Sequence, residues 1–190
     1  MIKKIFFTST LLASALVSAE SEHIDKLGMS LNLDLLMGGD ELAAITFTDG
    51  TSETVKAGSG IGFGAGITYQ VDDKIKAETR LSYLSDSASG KTSGGSTLEF
   101  DFTRYPLDFM GFYQHGKHSF GAGLTYHMSP TFSDGEDDFE FDSNLGTVFE
   151  YRYFYTKAAS INLKMVNISY DYKDTSFNGS SFGIGIAGHF

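Results

Sequence analysis

Cysteine is absent, which excludes a disulfide framework, a thiolate metal site and a cysteine nucleophile. Tryptophan is absent too, and proline occurs only twice in 190 residues, so the chain has few fixed breaks. Positive charge is scarce. Against 14 Lys and Arg stand 24 Asp and Glu, a formal net charge of −10, the opposite of the basic face a nucleic-acid binder carries. No stretch beyond residue 19 approaches the 18 or so apolar residues of a membrane-spanning helix. What is plentiful is glycine, 22 residues, with 10 Tyr and 17 Phe. A chain poor in helix formers and rich in glycine and aromatics favours β structure.

The N-terminus reads as an export signal. Met1-Ile2-Lys3-Lys4 is a short positive segment, and Ile5 to Val17 is an apolar core too short to span a bilayer as a helix. Val17-Ser18-Ala19 offers small residues to signal peptidase. Residues 1–19 are therefore expected to be a cleaved signal peptide, with one domain over 20–190. Losing Lys3 and Lys4 leaves 171 residues at a net charge of −12. The alternative is a retained membrane anchor.

The rest of the chain alternates. From Leu27 to Leu35, and again from Gly60 to Val71, every odd position is larger and apolar or aromatic, and every even one is glycine or polar. Helical spacing would scatter these residues; a strand puts them on two faces. Ile75 to Tyr83, Leu98 to Tyr113, Phe120 to Met128, Leu145 to Thr156, Ile161 to Tyr172 and Phe182 to Phe190 continue the pattern. Connections near 72–74, 114–117 and 157–159 are tight, while those near 38–57, 86–96, 129–143 and 174–180 are long. About eight strands with short turns at one end and long loops at the other predict a closed up-and-down barrel, taller than the bilayer on its loop side. Alternation breaks twice. Phe102 is followed by Tyr105, and Met165 by Val166, which predicts a β-bulge or the place where a strand leaves the membrane; Pro106 fits a bulge.

Alternation alone does not say which face is outside, and a soluble exported β-barrel or sandwich is the alternative to a membrane barrel. Three features favour the membrane version. Both charge signs occur on the polar faces of strands: Asp34, Lys76, Glu78, Arg80, Glu99, Asp101, Arg104, Glu150, Arg152 and Lys164. Enclosed in a narrow barrel these can pair. Aromatic residues mark strand ends: Tyr69, Tyr113, Phe120, Tyr153 and Tyr155 on the turn side, Tyr83, Tyr126, Tyr170, Tyr172 and Phe182 on the loop side. The chain also ends in Phe190, on the apolar parity.

The signal peptide, the loop asymmetry and the terminal strand Ser181-Phe182-Gly183-Ile184-Gly185-Ile186-Ala187-Gly188-His189-Phe190 resemble the small outer-membrane β-barrel superfamily, of which OmpA, OmpX and OmpW are familiar members. The likeness is architectural and spans 20–190. It implies an all-β fold, a single eight-stranded antiparallel up-and-down transmembrane barrel in the cell outer membrane, with both termini periplasmic. It also implies that Phe190 belongs to the terminal signal read by the barrel-assembly machinery. His189, where the family often has Arg or Tyr, departs from the pattern, as does the lack of Trp.

The enclosed charges have two readings, a structural filling of a narrow lumen or a selective path for ions or small solutes. Eight strands leave an interior just wide enough for side chains, which favours filling. The loop from Ser129 to Ser143 carries Asp134, Glu136, Asp137, Asp138, Glu140 and Asp142 and no basic residue. It reads as a solvated acidic surface, with weak divalent-cation bridging to lipopolysaccharide phosphates as the sharper alternative; its spacing does not match an EF-hand. Phe132, Phe139 and Phe141 predict that part of it is extended and packed. His127-Met128-Ser129 with Glu140 superficially fits lipid A deacylases, but the expected parity turns His127 and Ser129 into the lumen, away from lipid. No catalytic residue, metal or cofactor is assigned. The expected partners are outer-membrane lipid and lipopolysaccharide, with the barrel-assembly machinery and periplasmic chaperones during biogenesis. No nucleic acid is expected to bind, and the chain is expected to be a monomer. The expected role is non-enzymatic, structural and surface-interacting through long extracellular loops, with a narrow porin-like channel for ions or small hydrophobic solutes and a lipid A-modifying enzyme as rivals. Deleting Phe190 is expected to lower the amount of assembled protein and raise periplasmic degradation, measured by heat-modifiable gel mobility of membrane extracts.

Overall fold

The computed structural model describes residues 26–47, 51–91 and 97–190. The expected export signal lies outside the described residues. Eight strands form the barrel: β1 (Leu27–Gly38), β4 (Gly60–Gln70), β5 (Ile75–Lys91), β6 (Thr97–His115), β7 (His118–Ser133), β9 (Asn144–Thr156), β10 (Ala159–Asn167) and β13 (Ser181–His189). Each pairs antiparallel with its neighbour in the order β6-β5-β4-β1-β13-β10-β9-β7, and β7 returns to β6, closing the wall. Closure runs through the chain ends, with Leu33 opposite both Phe63 of β4 and Ile186 of β13. The Phe190 amide and carbonyl exchange hydrogen bonds with Met29, both 2.9 Å. The turns at 71–74, 116–117 and 157–158 are short. At the opposite end two hairpins, β2 (Glu41–Thr46) with β3 (Ser52–Lys56) and β11 (Ser169–Tyr172) with β12 (Thr175–Asn178), stand beside a short strand β8 (Asp138–Glu140) laid on β7.

Burial settles which face is outside. Along β1, Leu31, Leu33 and Leu35 are about half exposed while Asn32 and Asp34 are buried. Along β4, Ile61, Phe63 and Ile67 point out, and Gly62, Gly64, Gly66 and Thr68 point in. Ile61 is 62% exposed and Arg80 only 1%. A protein surrounded by water does not expose a continuous band of Leu, Ile, Phe and Met while burying Arg and Glu. The fold is a transmembrane β-barrel.

At the two breaks in the sequence pattern the large apolar residues switch from the outer face to the inner one. Strand β6 alternates without interruption from Phe102 to Phe112, even positions inward throughout. What changes is the chemistry of the inward face. Toward the turns it carries Arg104, Asp108 and Met110; toward the loops it carries Phe102, fully buried. Likewise β10 holds Lys164 inside, then Val166, and the chain beyond it holds Ile168 and Tyr170, all buried. Below the break, lipid outside and polar groups inside is the stable arrangement. Above it, water surrounds the wall and the interior turns apolar, as in a soluble barrel.

The bulge falls elsewhere than expected. Thr103 faces Thr131 and Tyr105 faces Met128, so Ser129 and Pro130 of β7 together oppose Arg104 of β6. Ser129 carries the strain of this insertion, with φ of 44°. Pro106 sits in β6 itself. The β5–β6 ladder lapses there, between Leu81↔Leu107 and Leu84↔Arg104, without a change of register, since Pro106 has no N–H to donate.

Three further expectations are corrected. The stretch expected as a Ser/Gly loop from 85 to 96 is strand as far as Lys91; residues 92–96 lie outside the described residues. The 38–57 connection is hairpin β2–β3. Tyr170 does not join an outer aromatic belt; it is buried, and Tyr172 packs against the inner cluster. Tyr83 lies tilted against Phe63 and edge-on to Tyr105, each pair 5.6 Å between centroids. Tyr113, Phe120, Tyr153 and Tyr155 face outward at the turn end as expected. Strand β6 has 19 residues, whereas a tilted membrane strand needs about 9–11, so the wall does rise above the bilayer. Replacing Leu33 or Ile67 by Arg is expected to destabilise the inserted barrel by about 2–4 kcal/mol, while Ser89→Arg, exposed above the membrane, leaves the urea midpoint unchanged.

Candidate functional site

The lumen is crossed by a row of charges. Strand β5 contributes Glu78 and Arg80, β6 Asp108, β9 Glu150 and Arg152, and β10 Lys164. Strands β5 and β9 are separated by β6 and β7, so the row ties opposite walls of the barrel together. Arg152 grips Glu78 with a two-pronged contact, Nη1 to Oε2 at 2.7 Å and Nη2 to Oε1 at 2.9 Å. Its Nε donates to Glu150 Oε1 at 2.6 Å. Arg80 donates from Nη2 to Glu150 Oε2 at 2.5 Å and to Asp108 Oδ2 at 3.2 Å. Lys164 donates to the same Asp108 oxygen at 2.8 Å. Three carboxylates thus alternate with three cations, and all six side chains are almost wholly shielded. Arg152 also lies over the Phe112 ring, 3.9 Å from its centroid. Charges removed from water are tolerated only when paired and hydrogen-bonded. Inward glycines clear the space. A side chain at Gly185 would collide with the Asp34 carboxylate, and one at Gly121 with the Phe112 ring.

Of the charges singled out in the sequence, Glu78, Arg80, Glu150, Arg152 and Lys164 meet in this row. Asp34 does not make an ion pair among the described residues; it accepts from Asn32 Nδ2 at 2.6 Å. Lys76 sits half-buried at the turn-end mouth of the lumen, unpaired among the described residues. Asp101 belongs to the part of β6 above the membrane, where it accepts from Ser85 Oγ at 2.6 Å. Glu99 is exposed there. Arg104 is fully buried, but its partners are backbone carbonyls, Ala57 and Ser59, with its guanidinium 4.7 Å from the Phe102 centroid. Asp108, which joins Arg80 to Lys164, was not among the residues read from the sequence. Its signal was parity: it lies between Leu107 and Phe109 on the polar side of an alternating run.

Above the charge row the lumen ends in an apolar plug. Hairpin β2–β3 turns Ile45 and Val55 inward against Ala88, Phe102, Phe141, Val148, Ile168 and Tyr170. The Phe102 ring meets Phe141 and Tyr170 edge-on, each 5.5 Å away. Arg104 fastens the segment after the hairpin, and the Lys56 amide donates to Asp86 Oδ2 at 2.9 Å. Tyr170 pairs its hydroxyl with His127 Nδ1 at 2.6 Å, and burial pushes its phenol up to about 12. Between plug and charge row lies a cavity of about 10 Å³, lined by Asp34, Ser82, His127 and Lys164 among others, about the volume of one water.

The His127-Met128-Ser129 spacing assembles nothing. His127 is buried; Ser129, expected inside, is exposed by the bulge. No hydrogen bond joins either to Glu140 among the described residues. The acidic loop is partly strand, with Phe132 opposite Phe139 and Phe141 buried, as those aromatics predicted. Asp134 caps its own turn. The amides of Asp137 and Glu136 hold its carboxyl below the usual carboxylate range. Among the described residues no three carboxylate or imidazole groups converge as a metal ion requires. Phe190 is 77% exposed on the outer wall. A surface depression of about 690 Å³ lies on the outer wall among Tyr113, Phe120, Phe149 and Met165, facing the bilayer.

Arg80→Met leaves Glu150 and Asp108 short of a cation and is expected to cost about 3–5 kcal/mol of barrel stability. Arg80→Met combined with Glu150→Gln is expected to recover part of that loss, read from urea midpoints of heat-modifiable mobility.

No family model and no curated protein matches the chain. Solved structures do. One is Ail, the attachment invasion locus protein of Yersinia pestis, crystallised with the heparin analogue sucrose octasulfate. It shares 11% identity at a TM-score of 0.51, over 86% of this chain and 97% of that one. Neisserial surface protein A shares 11% identity at a TM-score of 0.50, over 87% of this chain and 97% of that one. At this identity the likeness is one of fold, and it agrees with the closed antiparallel wall, the apolar outer band and the enclosed charges: the chain folds as one of the small eight-stranded barrels of the outer membrane.

Proposed function

We propose that this is a sealed integral protein of the outer membrane, non-enzymatic and monomeric, that works through its outward surface rather than its lumen. The plug carries this reading. A conducting path would have to pass the apolar cluster of Ile45, Val55, Phe102 and Tyr170 and then the row from Glu78 to Lys164, in which every carboxylate has its cation. Opening it needs both a displaced hairpin and broken buried pairs, which is costly.

The outward surface is the part with chemistry left to offer. Asp40, Glu41, Glu53, Glu136, Asp137, Asp138, Glu140, Asp142 and Asp174 are exposed around the loop end, and Lys173 stands beside Tyr172. Ail was crystallised with a polyanion; the outer face here has the opposite polarity and favours cationic partners through its long-range field. Contacts with neighbouring lipopolysaccharide belong to the same surface. The exposed Phe190 at the closing seam supports the C-terminus as the element that the barrel-assembly machinery receives, after periplasmic chaperones and removal of residues 1–19.

The rival is a narrow channel through the polar lumen. In planar bilayers the purified barrel is expected to give no reproducible single-channel steps; discrete, repeatable conductance would replace the sealed reading with the channel.

A further inference from the structure

The periplasmic mouth of the lumen is a cavity of about 420 Å³, and the side chains around it are of one sign. Lys76, Lys117, Lys157 and His189 line it with Gln114 and Thr156, and no carboxylate does. The three ammonium groups make no ion pair among the described residues. This stands out in a chain with a net charge of −10. Glu78, the nearest carboxylate beneath, gives both oxygens to Arg152. Asp72 accepts the amides of Lys74 and Ile75 in its own turn, both at 2.8 Å. Asp73 lines the adjoining depression on the far side of Gln114.

The mouth is also built rather than merely edged by flexible lysines. The Phe154 amide of β9 donates to the Lys117 carbonyl at 2.8 Å and so continues the β7–β9 ladder into turn 116–117. His189 packs at a tilt against Phe154, 5.0 Å between centroids, and its Nε2 meets Ser160 Oγ at 3.0 Å. That leaves Nδ1 shielded from solvent with no hydrogen-bond partner among the described residues.

We infer that the periplasmic mouth binds a phosphate group. Three point-charge ammoniums on separate strands and turns suit a tetrahedral dianion better than a planar carboxylate, which is best matched by a guanidinium fork. The same chemistry comes from a soluble phosphate ester entering along the barrel axis or from the headgroup of an inner-leaflet phospholipid at the rim. The site is independent of whether the lumen conducts.

The test uses the full barrel in dodecyl maltoside micelles, which contain no phosphate. Titration with glycerol 3-phosphate, followed by amide resonances, is expected to move Gly116, Lys117 and His189 to a saturated position, and acetate is not. The double variant Lys117→Gln/Lys157→Gln changes only exposed side chains, so folding is preserved. It is expected to weaken binding about tenfold. In phosphatidylglycerol nanodiscs, the shifted positions without added ester identify the lipid headgroup as the source; movement only on adding ester identifies a soluble one. Absence of saturable movement in micelles together with unshifted positions in nanodiscs, an equal response to acetate, or a double variant that titrates like the wild type would each overturn the proposal.

Discussion

Six charges that have no access to bulk water govern the construction of this barrel. Lipid requires the outer face of each membrane strand to be apolar, and a side-chain period of two then delivers the alternate residues to the lumen. Whatever polarity the strands carry must be satisfied there by other strands. Glu78, Arg152, Glu150, Arg80, Asp108 and Lys164 meet that demand as one alternating chain with no net charge. Glu150 serves two arginines, and Asp108 serves an arginine and a lysine. Register follows from it. A slip of one residue in β5 or β9 would send these groups into lipid and the apolar band inside.

The inner charge row stops where the membrane stops, and the interior changes character there. Leu36, Leu84, Phe102, Val148, Val166 and Ile168 are inward and apolar, so the upper part is stabilised by hydrophobic burial and the lower part by ion pairing. Arg104 stands at the junction. It makes no ion pair among the described residues and is held by two carbonyls and an aromatic ring, which fits a cation whose surroundings are half polar row and half apolar plug.

The membrane band was legible in the sequence because its period and its solvent are both simple. Leu31-Asn32-Leu33-Asp34 has one reading once the outside is lipid. The upper region was less legible because the same period serves the opposite solvent. Phe102 and Tyr170 look like more of the apolar outer face until the structure shows them turned inward. The bulge at Ser129 and Pro130 leaves β6 unmarked, so the break in β6 pointed to the wrong strand. Pairing was harder still. Asp34 and Asp108 sit in equally polar runs, yet only Asp108 lies in register with Arg80 across β5 and β6. The hairpin β2–β3 was invisible as a plug because its inward residues, Ile45 and Val55, gain meaning only when folded over a mouth far along the chain.

The wall is not of even height. Strands β5, β6 and β7 run 17, 19 and 16 residues, whereas β10 and β13 run 9 each. The crest lies along the flank formed by β5, β6 and β7, and hairpin β2–β3 leans on its inner side, where Ile45 and Val55 meet Ala88 and Phe102. The loop end is therefore built on a slope, and two flanks of one barrel stand at different distances from the bilayer.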